Sequence, residues 1–364
     1  MSGSKTPAPR DIVQTHAEAE QLEQEPLIVI ETLAAFLDSE NLGSGSITAT
    51  PIGGGHSNVT YALDRGSERF VLRRPPRGPL PASTHDMLRE AKLLKSLAAA
   101  GVRVPEVLAT GENPDVIGAP FYVMPFIDGH VLDNQLPEQL GIPGSGERIA
   151  EELVDALVEL HAVDITQPDL ASFGRPDGYL ARQLRRFKGL LEQGSTRPLP
   201  ELEQVAEWLE RNLPETNAST VVHGDYRLGN VILAKTATPR IVALLDWEMA
   251  TLGDPLADVG YLTAMWAEPD DPADPMLDLS NVTRLPGFPR RETLALRYTE
   301  RTGRDVSNLV WYQTLALWKA AIFLEGSYRR HLAGTTGDPY FARLESGVPI
   351  LARRARKQTL AASV

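Results

Sequence analysis

VVHGDYRLGNVILAKTATPRIVALLDW, residues 221–247, decides how this chain is read. Two apolar runs inside it, VILA and IVALL, have the length of short strands, and a turn containing threonine and proline separates them. Three polar residues, Asp225, Asn230 and Asp246, stand on loops at the ends of these runs. Strands fix positions and loops leave side chains reachable, so this arrangement converges acidic groups on one point.

An aspartate followed five residues later by an asparagine, on a loop after His-Gly, matches the spacing of a kinase catalytic loop. There the aspartate accepts a hydroxyl proton and the asparagine binds metal. Asp246, at the end of the second run, stands where the second metal-binding aspartate of such enzymes stands. HGDYRLGN followed by LLDWEMATLGDPLADVGYL resembles the aminoglycoside phosphotransferase family, over roughly residues 30–330. The resemblance implies an α+β, bilobal protein-kinase-like fold: an N-lobe with an antiparallel sheet and a helix, then a mainly helical C-lobe. It further implies ATP with magnesium and phosphoryl transfer to a hydroxyl of a small molecule. Asp225 would be the catalytic base, and Asn230 and Asp246 the metal ligands.

Composition bounds the alternatives. The 364 residues are 42% hydrophobic, enough for a sizeable core in one large domain or two. A net charge of -12 and a pI near 5.2 argue against a general nucleic-acid or anionic-membrane binder, because the summed field repels phosphates. With no cysteine, disulfides, thiolate nucleophiles and Cys-ligated zinc are excluded, and a reducing, cytoplasmic setting fits. No uninterrupted apolar run approaches 18 residues, so no membrane span is expected.

Residues 1–24 are polar, carry Pro7 and Pro9, and read as a mobile tail without the apolar core of a signal peptide. Residues 25–126 read as the N-lobe. PLIVIETLAAFLDSENL has Ile30, Leu33, Ala34 and Leu37 on one helical face, and short β-branched and aromatic runs follow from Ile47 to Leu72. The turn Gly53-Gly54-Gly55 lies between two of these strands. It lets backbone N–H groups approach phosphate oxygens, with Ser57 and Asn58 as further donors; a plain hairpin is the alternative. Arg73 in FVLRR holds the place of the kinase lysine that contacts the α- and β-phosphates, with Glu90 on the next helix as its partner. Arginine keeps its charge and grips phosphate through two bonds, but departs from the family's lysine. Glu90 has Lys92 and Lys95 as alternative partners. FYVMPFIDG reads as the segment joining the lobes, where backbone groups near Met124 to Phe126 would hold adenine. Pro125 has no N–H, so the donor expected is Phe126.

Residues 127–364 read as the helical C-lobe. GERIAEELVDALVELHAVD is amphipathic through Ile149, Leu153, Ala156, Leu157 and Leu160, and His161 at its end reads as a buried support of the catalytic loop. His223 reads as packing beneath that loop. Asp254 suits a helix cap with Pro255 at the first helical position, and Asp258 suits an acceptor of loop N–H groups. Glu248 has a minority role at metal or substrate. Residues 268–289 read as a proline-rich surface loop, and Trp311, Leu315, Trp318 and Ile322 as a core stripe.

Two further readings stay open. Arg73 in place of lysine suits a nucleotide-binding pseudokinase. Similar domains occur fused to acyl-CoA dehydrogenases, which implies hydroxyacyl thioesters as acceptors beside aminoglycosides. A strongly acidic groove beside Asp225 would favour aminoglycosides, and an apolar or basic one the acyl compounds.

Overall fold

The computed structural model describes residues 10–53, 58–78, 86–272, 278–334 and 339–361. The chain divides into two compact units, Met1–Ile127 and Asp128–Val364.

In the first unit, β1 (Ile12–Val13), α1 (His16–Ala19), β2 (Ile28–Val29) and α2 (Ile30–Ser39) precede a hairpin of β3 (Ile47–Pro51), β4 (Val59–Arg65) and β5 (Glu68–Arg74). Then follow α3 (Met87–Ala99), β6 (Ala109–Gly111), α4 (Pro114–Ile117) and β7 (Phe121–Pro125). The main sheet is antiparallel with strand order β3-β4-β5-β7-β6. Strand alternation divides its side chains between two faces. Tyr61, Leu63, Phe70, Leu72, Phe121 and Val123 form one core with Leu33 and Leu37 of α2. Arg73 and Tyr122 stand on the other face, toward α3, whose start is capped by Asp86 accepting from the Arg89 amide at 3.0 Å.

The expected mobile tail is not found over residues 10–24. Ile12 and Val13 pair in parallel with Ile28 and Val29, Val13 is buried, and Asp11 forms an ion pair with Arg77. The polar composition masked two apolar residues, and those two suffice to dock the segment.

The second unit opens with α5 (Ser145–His161), α6 (Pro168–Ala171), α7 (Tyr179–Gly194) and α8 (Pro200–Arg211). Four short strands follow: β8 (Thr220–Val222), β9 (Val231–Leu233), β10 (Ile241–Leu244) and β11 (Thr251–Gly253). The unit closes with α9 (Leu256–Ala264), α10 (Arg291–Thr302), α11 (Leu309–Leu332) and α12 (Leu344–Ala361). β9 pairs with β10 and β8 with β11, both antiparallel. α11 is the hub of the core: its stripe of Trp311, Leu315, Trp318 and Ile322 is buried as expected. The indoles are also polar-matched, Trp311 Nε1 donating to the Leu209 carbonyl at 3.1 Å and Trp318 Nε1 to that of Leu202 at 2.9 Å.

Residues 268–289 are not simply a surface loop in their described parts. Val282 and Glu268 are buried, and Arg284 donates to the carbonyls of Glu268 and Asp271 at 2.9 and 2.8 Å. α12 was not anticipated, because Pro349 interrupts its helical pattern; Leu344, Val348, Leu351 and Ala355 nevertheless pack against α8 and α11. No helix of the described residues is long and apolar enough to cross a membrane.

The approach of α9 to α11 is tight enough to test. A Cβ on Gly260 would lie 2.4 Å from Cβ of Tyr312 and 2.6 Å from its backbone carbon, whereas one on Gly189 of α7 meets nothing within 4 Å. Gly260→Ala is expected to lower stability by about 1–3 kcal/mol, and Gly189→Ala to raise it by about 0.5–1 kcal/mol; thermal melts of the two variants check both signs.

Candidate active site

β8 and β11 bracket the HGD loop and the segment after β10, pairing Val222 with Thr251. Between them the backbone turns at Gly224, whose φ of +86° is left-handed. A Cβ there would come within 2.8 Å of the Met249 carbonyl oxygen, so glycine is required twice over. The loop is held from below by Asp258. Its Oδ2 accepts the His223 amide at 2.7 Å and its Oδ1 the Gly224 amide at 2.8 Å, as the sequence suggested.

A relay of hydrogen bonds runs into that carboxylate. Arg304 donates to the Tyr298 hydroxyl at 2.9 Å; the hydroxyl meets His161 Nδ1 at 2.7 Å; His161 Nε2 lies 3.2 Å from Asp258 Oδ2. An ionised Asp258 can only accept, so a neutral His161 carries its proton on Nε2 and its Nδ1 accepts from the Tyr298 hydroxyl, which in turn accepts from Arg304. Burial holds the imidazole below its ordinary pKa despite the carboxylate. For Asp258, burial alone would raise the pKa. The hydrogen bond and charge of His161, with the Gly224 amide, outweigh it and hold the carboxyl below its ordinary value.

His223 is buried beneath the loop. Its Nε2 donates to the Leu245 carbonyl at 2.8 Å, its Nδ1 accepts the Asp225 amide at 3.3 Å, and its ring lies against Trp247, centroids 4.6 Å apart. The imidazole thus ties the residue after the glycine turn to the residue before Asp246. A second tie joins the same segments, the Leu245 amide donating to the Asn230 carbonyl at 2.8 Å.

These ties bring the three residues singled out from sequence into one place. Asn230 Nδ2 donates to both Asp225 Oδ2 and the Asp225 carbonyl at 2.8 Å, which commits the amide nitrogen and leaves its side-chain oxygen. Among the described residues Asp225 Oδ1 has no hydrogen-bond partner, Arg227 Nε being 3.7 Å away. Asp246 has φ +66°, a conformation that costs a non-glycine residue about 1–3 kcal/mol. The hydrogen-bonded residues on either side, Leu245 and Trp247, hold it there.

Asp225 opens onto a cavity of about 180 Å³ within the second unit. Its wall is mainly apolar, with Phe187, Met249, Met265, Phe323, Leu324 and Leu351 contributing. Among the described residues, its polar side chains are those of Asp225, Glu248, Tyr261, Lys319 and Tyr340. Burial first, and the Asp225 charge second, push the Tyr261 phenol well above its usual range, so it remains a neutral hydroxyl. Glu248 is therefore at the cavity. Tyr261 and Lys319 were missed in the sequence, where both sit in helices that read as core; a lone charge in the apolar run LALWKAAIF was the available signal.

The residues expected at nucleotide lie in the first unit. Gly53 has φ +81° with open space where a Cβ would be, and Asn58 is buried. Gly54, Gly55 and Ser57 lie outside the described residues. Arg73 Nε is 3.2 Å from Glu90 Oε1, to which the Tyr122 hydroxyl also donates at 3.0 Å. Glu90 is buried, whereas Lys92 and Lys95 are exposed on the far side of α3. One expectation is corrected: the Phe126 amide is not a free donor, since it gives its proton to the Arg69 carbonyl at 3.0 Å. With no N–H on Pro125, the β5–β7 ladder takes up the next amide, and the Phe126 ring stacks under the Arg69 guanidinium, 3.8 Å away. Met124, paired with Val71, is likewise inside the ladder.

Family comparison gives this architecture its class: a model of the phosphotransferase enzyme family, APH, matches residues 48–309, and the chain belongs to that family. Its solved neighbours share the protein-kinase-like fold. A Ralstonia eutropha protein classed provisionally as an aminoglycoside phosphotransferase is 27% identical with a TM-score of 0.75, covering 91% of this chain and 98% of that one. A thermostable mutant of the aminoglycoside phosphotransferase APH(4)-Ia, in ternary complex with AMP-PNP and hygromycin B, is 17% identical with a TM-score of 0.56, covering 90% and 98%. Among curated proteins, acyl-CoA dehydrogenase family member 11 of Rattus norvegicus is 34% identical over 320 residues, 85% of this chain. The chain spans 40% of that relative's length.

The relay behind the loop sets a pH response. As pH falls through about 6.5 the unfolded chain protonates its histidine before the folded one protonates His161, so folding stability falls, at up to about 1.4 kcal/mol per pH unit. The Asp258 contribution, present above its unfolded pKa of 3.8, goes only at lower pH. Thermal melts over a pH series are expected to show the first loss in the wild type and a flatter curve in His161→Gln.

Proposed function

We propose that the chain transfers the γ-phosphate of ATP, with magnesium, to a hydroxyl on a small acyl compound. The observation that carries the transfer is the state of Asp225, a residue of the cavity wall: one carboxylate oxygen is fixed by Asn230, and the other has only the Arg227 guanidinium at 3.7 Å and no close hydrogen bond of its own. A carboxylate so held orients a hydroxyl and receives its proton as that oxygen bonds to the γ-phosphorus and the bond from phosphorus to ADP breaks.

The donor chemistry fits magnesium. Asn230 offers its side-chain oxygen because its nitrogen is committed to Asp225, and Asp246 adds a carboxylate; hard oxygen ligands suit this ion. Among the described residues no three His, Cys, Asp or Glu side chains form a metal-binding group. Magnesium, when bound, neutralises charge on the transferring group. Arg73, steadied by Glu90, would take the α- and β-phosphates, and Gly53 to Gly55 with Ser57 and Asn58 would supply N–H and side-chain donors. For adenine, the alternation along β7 turns the Pro125 carbonyl and the Ile127 amide to the side opposite β5, and these replace Phe126 as the proposed contacts.

The acceptor follows from the cavity wall. A polycationic aminoglycoside needs several carboxylates, whereas among the described residues Asp225 and Glu248 are the only carboxylates in a mainly apolar lining. An apolar chain bearing a hydroxyl suits it, and the kinship to acyl-CoA dehydrogenase family proteins supports an acyl compound. Acceptor-dependent ADP release, screened over hydroxy acids, their thioesters and aminoglycosides, tests this. The acyl compounds are expected to be turned over; release with aminoglycosides alone would overturn the acceptor assignment. Asp225→Asn is expected to lower kcat by about 10²–10⁴-fold with little change in ATP affinity, which separates an enzyme from a nucleotide-binding pseudokinase.

A further inference from the structure

α11 puts a cation into the cavity that holds Asp225. Lys319 stands alone among apolar residues, and its neighbours one turn away, Leu315, Ala316, Ile322 and Phe323, include no carboxylate. A lysine on an apolar helix usually extends its ammonium to water or pairs along the helix. This one lies over the Phe187 ring, Nζ 4.9 Å from the centroid, and lines the cavity wall. Among the described residues no carboxylate lies within ion-pair distance of it. Burial, with the Arg186 charge, lowers its pKa to about 8, and Asp258 and Asp225 pull the other way; it remains mostly protonated at neutral pH. A partly buried ammonium group with no carboxylate at ion-pair distance is costly, and an oxygen ligand entering the cavity would offset that.

We propose that Lys319 determines acceptor specificity: its ammonium group binds the acyl oxygen, a carboxylate or a thioester carbonyl, of an acceptor whose hydroxyl meets Asp225 and whose hydrocarbon lies on Phe187, Met265 and Phe323. The proposal rests on the acyl-acceptor reading above. Tyr261, neutral and at the same wall, is a hydroxyl donor within the cavity and adds no competing charge. Lys319, its field reinforced by the Arg186 charge, repels a cationic acceptor, so the group that attracts the acyl oxygen also disfavours an aminoglycoside.

The test separates binding from turnover. The full chain is titrated calorimetrically with short-chain hydroxy acids as free carboxylates, with the same acids as pantetheine thioesters, and with matching diols that lack the acyl oxygen. Lys319→Met is expected to weaken the acyl probes by about 10–100-fold, the range for a charged hydrogen bond, and to leave the diols as in the wild type. In turnover the loss falls on KM more than on kcat, and Lys319→Arg recovers part of it. A larger loss with the free acids identifies a carboxylate as the ligand, and a larger loss with thioesters a carbonyl. An unchanged ratio of acyl to diol affinity in Lys319→Met, or no binding of any acyl probe by the wild type, overturns the proposal. Turnover of hydroxy acids with an unchanged KM in the variant would leave the acceptor reading standing and remove Lys319 from it. Lys319-dependent binding without phosphate transfer would do the reverse.

Discussion

The carboxylate of Asp258 is the constraint on which the site depends. It is fully buried, and a buried charge is tolerated only when its lone pairs are met. Two loop amides and one imidazole meet them here, from β8, the Gly224 turn and the end of α5. Removing one partner of such an arrangement typically costs about 3–5 kcal/mol, because the remaining charge stays in a medium that cannot solvate it. The loop therefore has one conformation rather than several, and a glycine with φ +86° is part of it.

From that fixed turn the rest of the geometry follows by short links. His223 connects Asp225 to Leu245, Leu245 connects back to Asn230, and Asn230 closes on Asp225. The circuit holds a carboxylate, an amide oxygen and the strained Asp246 in one neighbourhood, and Asp225 Oδ1 keeps only the Arg227 guanidinium at 3.7 Å. Positioning of this kind is what phosphoryl transfer asks of a protein, since the reaction needs little covalent chemistry from side chains.

The family accounts for the scaffold but not for the acceptor. Relatives of this fold include a structure with hygromycin B, yet this chain lines its cavity mainly with aromatic and aliphatic side chains and a lysine over the Phe187 ring. Those residues come from α7, the segment after β10, α9, α11 and α12. On the proposed function, the acceptor would therefore be chosen by side chains that helix packing brings together rather than by the HGD loop.

By itself the sequence determined the elements whose information is local. The spacing from Asp225 to Asn230, the strand ending at Asp246, the support roles of His161, His223 and Asp258, and the Arg73–Glu90 pair were all legible, since each depends on a short motif or a helix period. Docking of residues 10–24, the engagement of Phe126 with Arg69, the helix around Pro349 and the placement of Lys319 beside Asp225 were decided only in three dimensions. Each is settled by a partner tens of residues away or more: Ile28 for Ile12, Arg69 for Phe126, Asp225 for Lys319. A lone charge in an apolar helix hints at Lys319, but the cavity it meets and the competition for a single backbone amide are set by packing, not by any spacing along the chain.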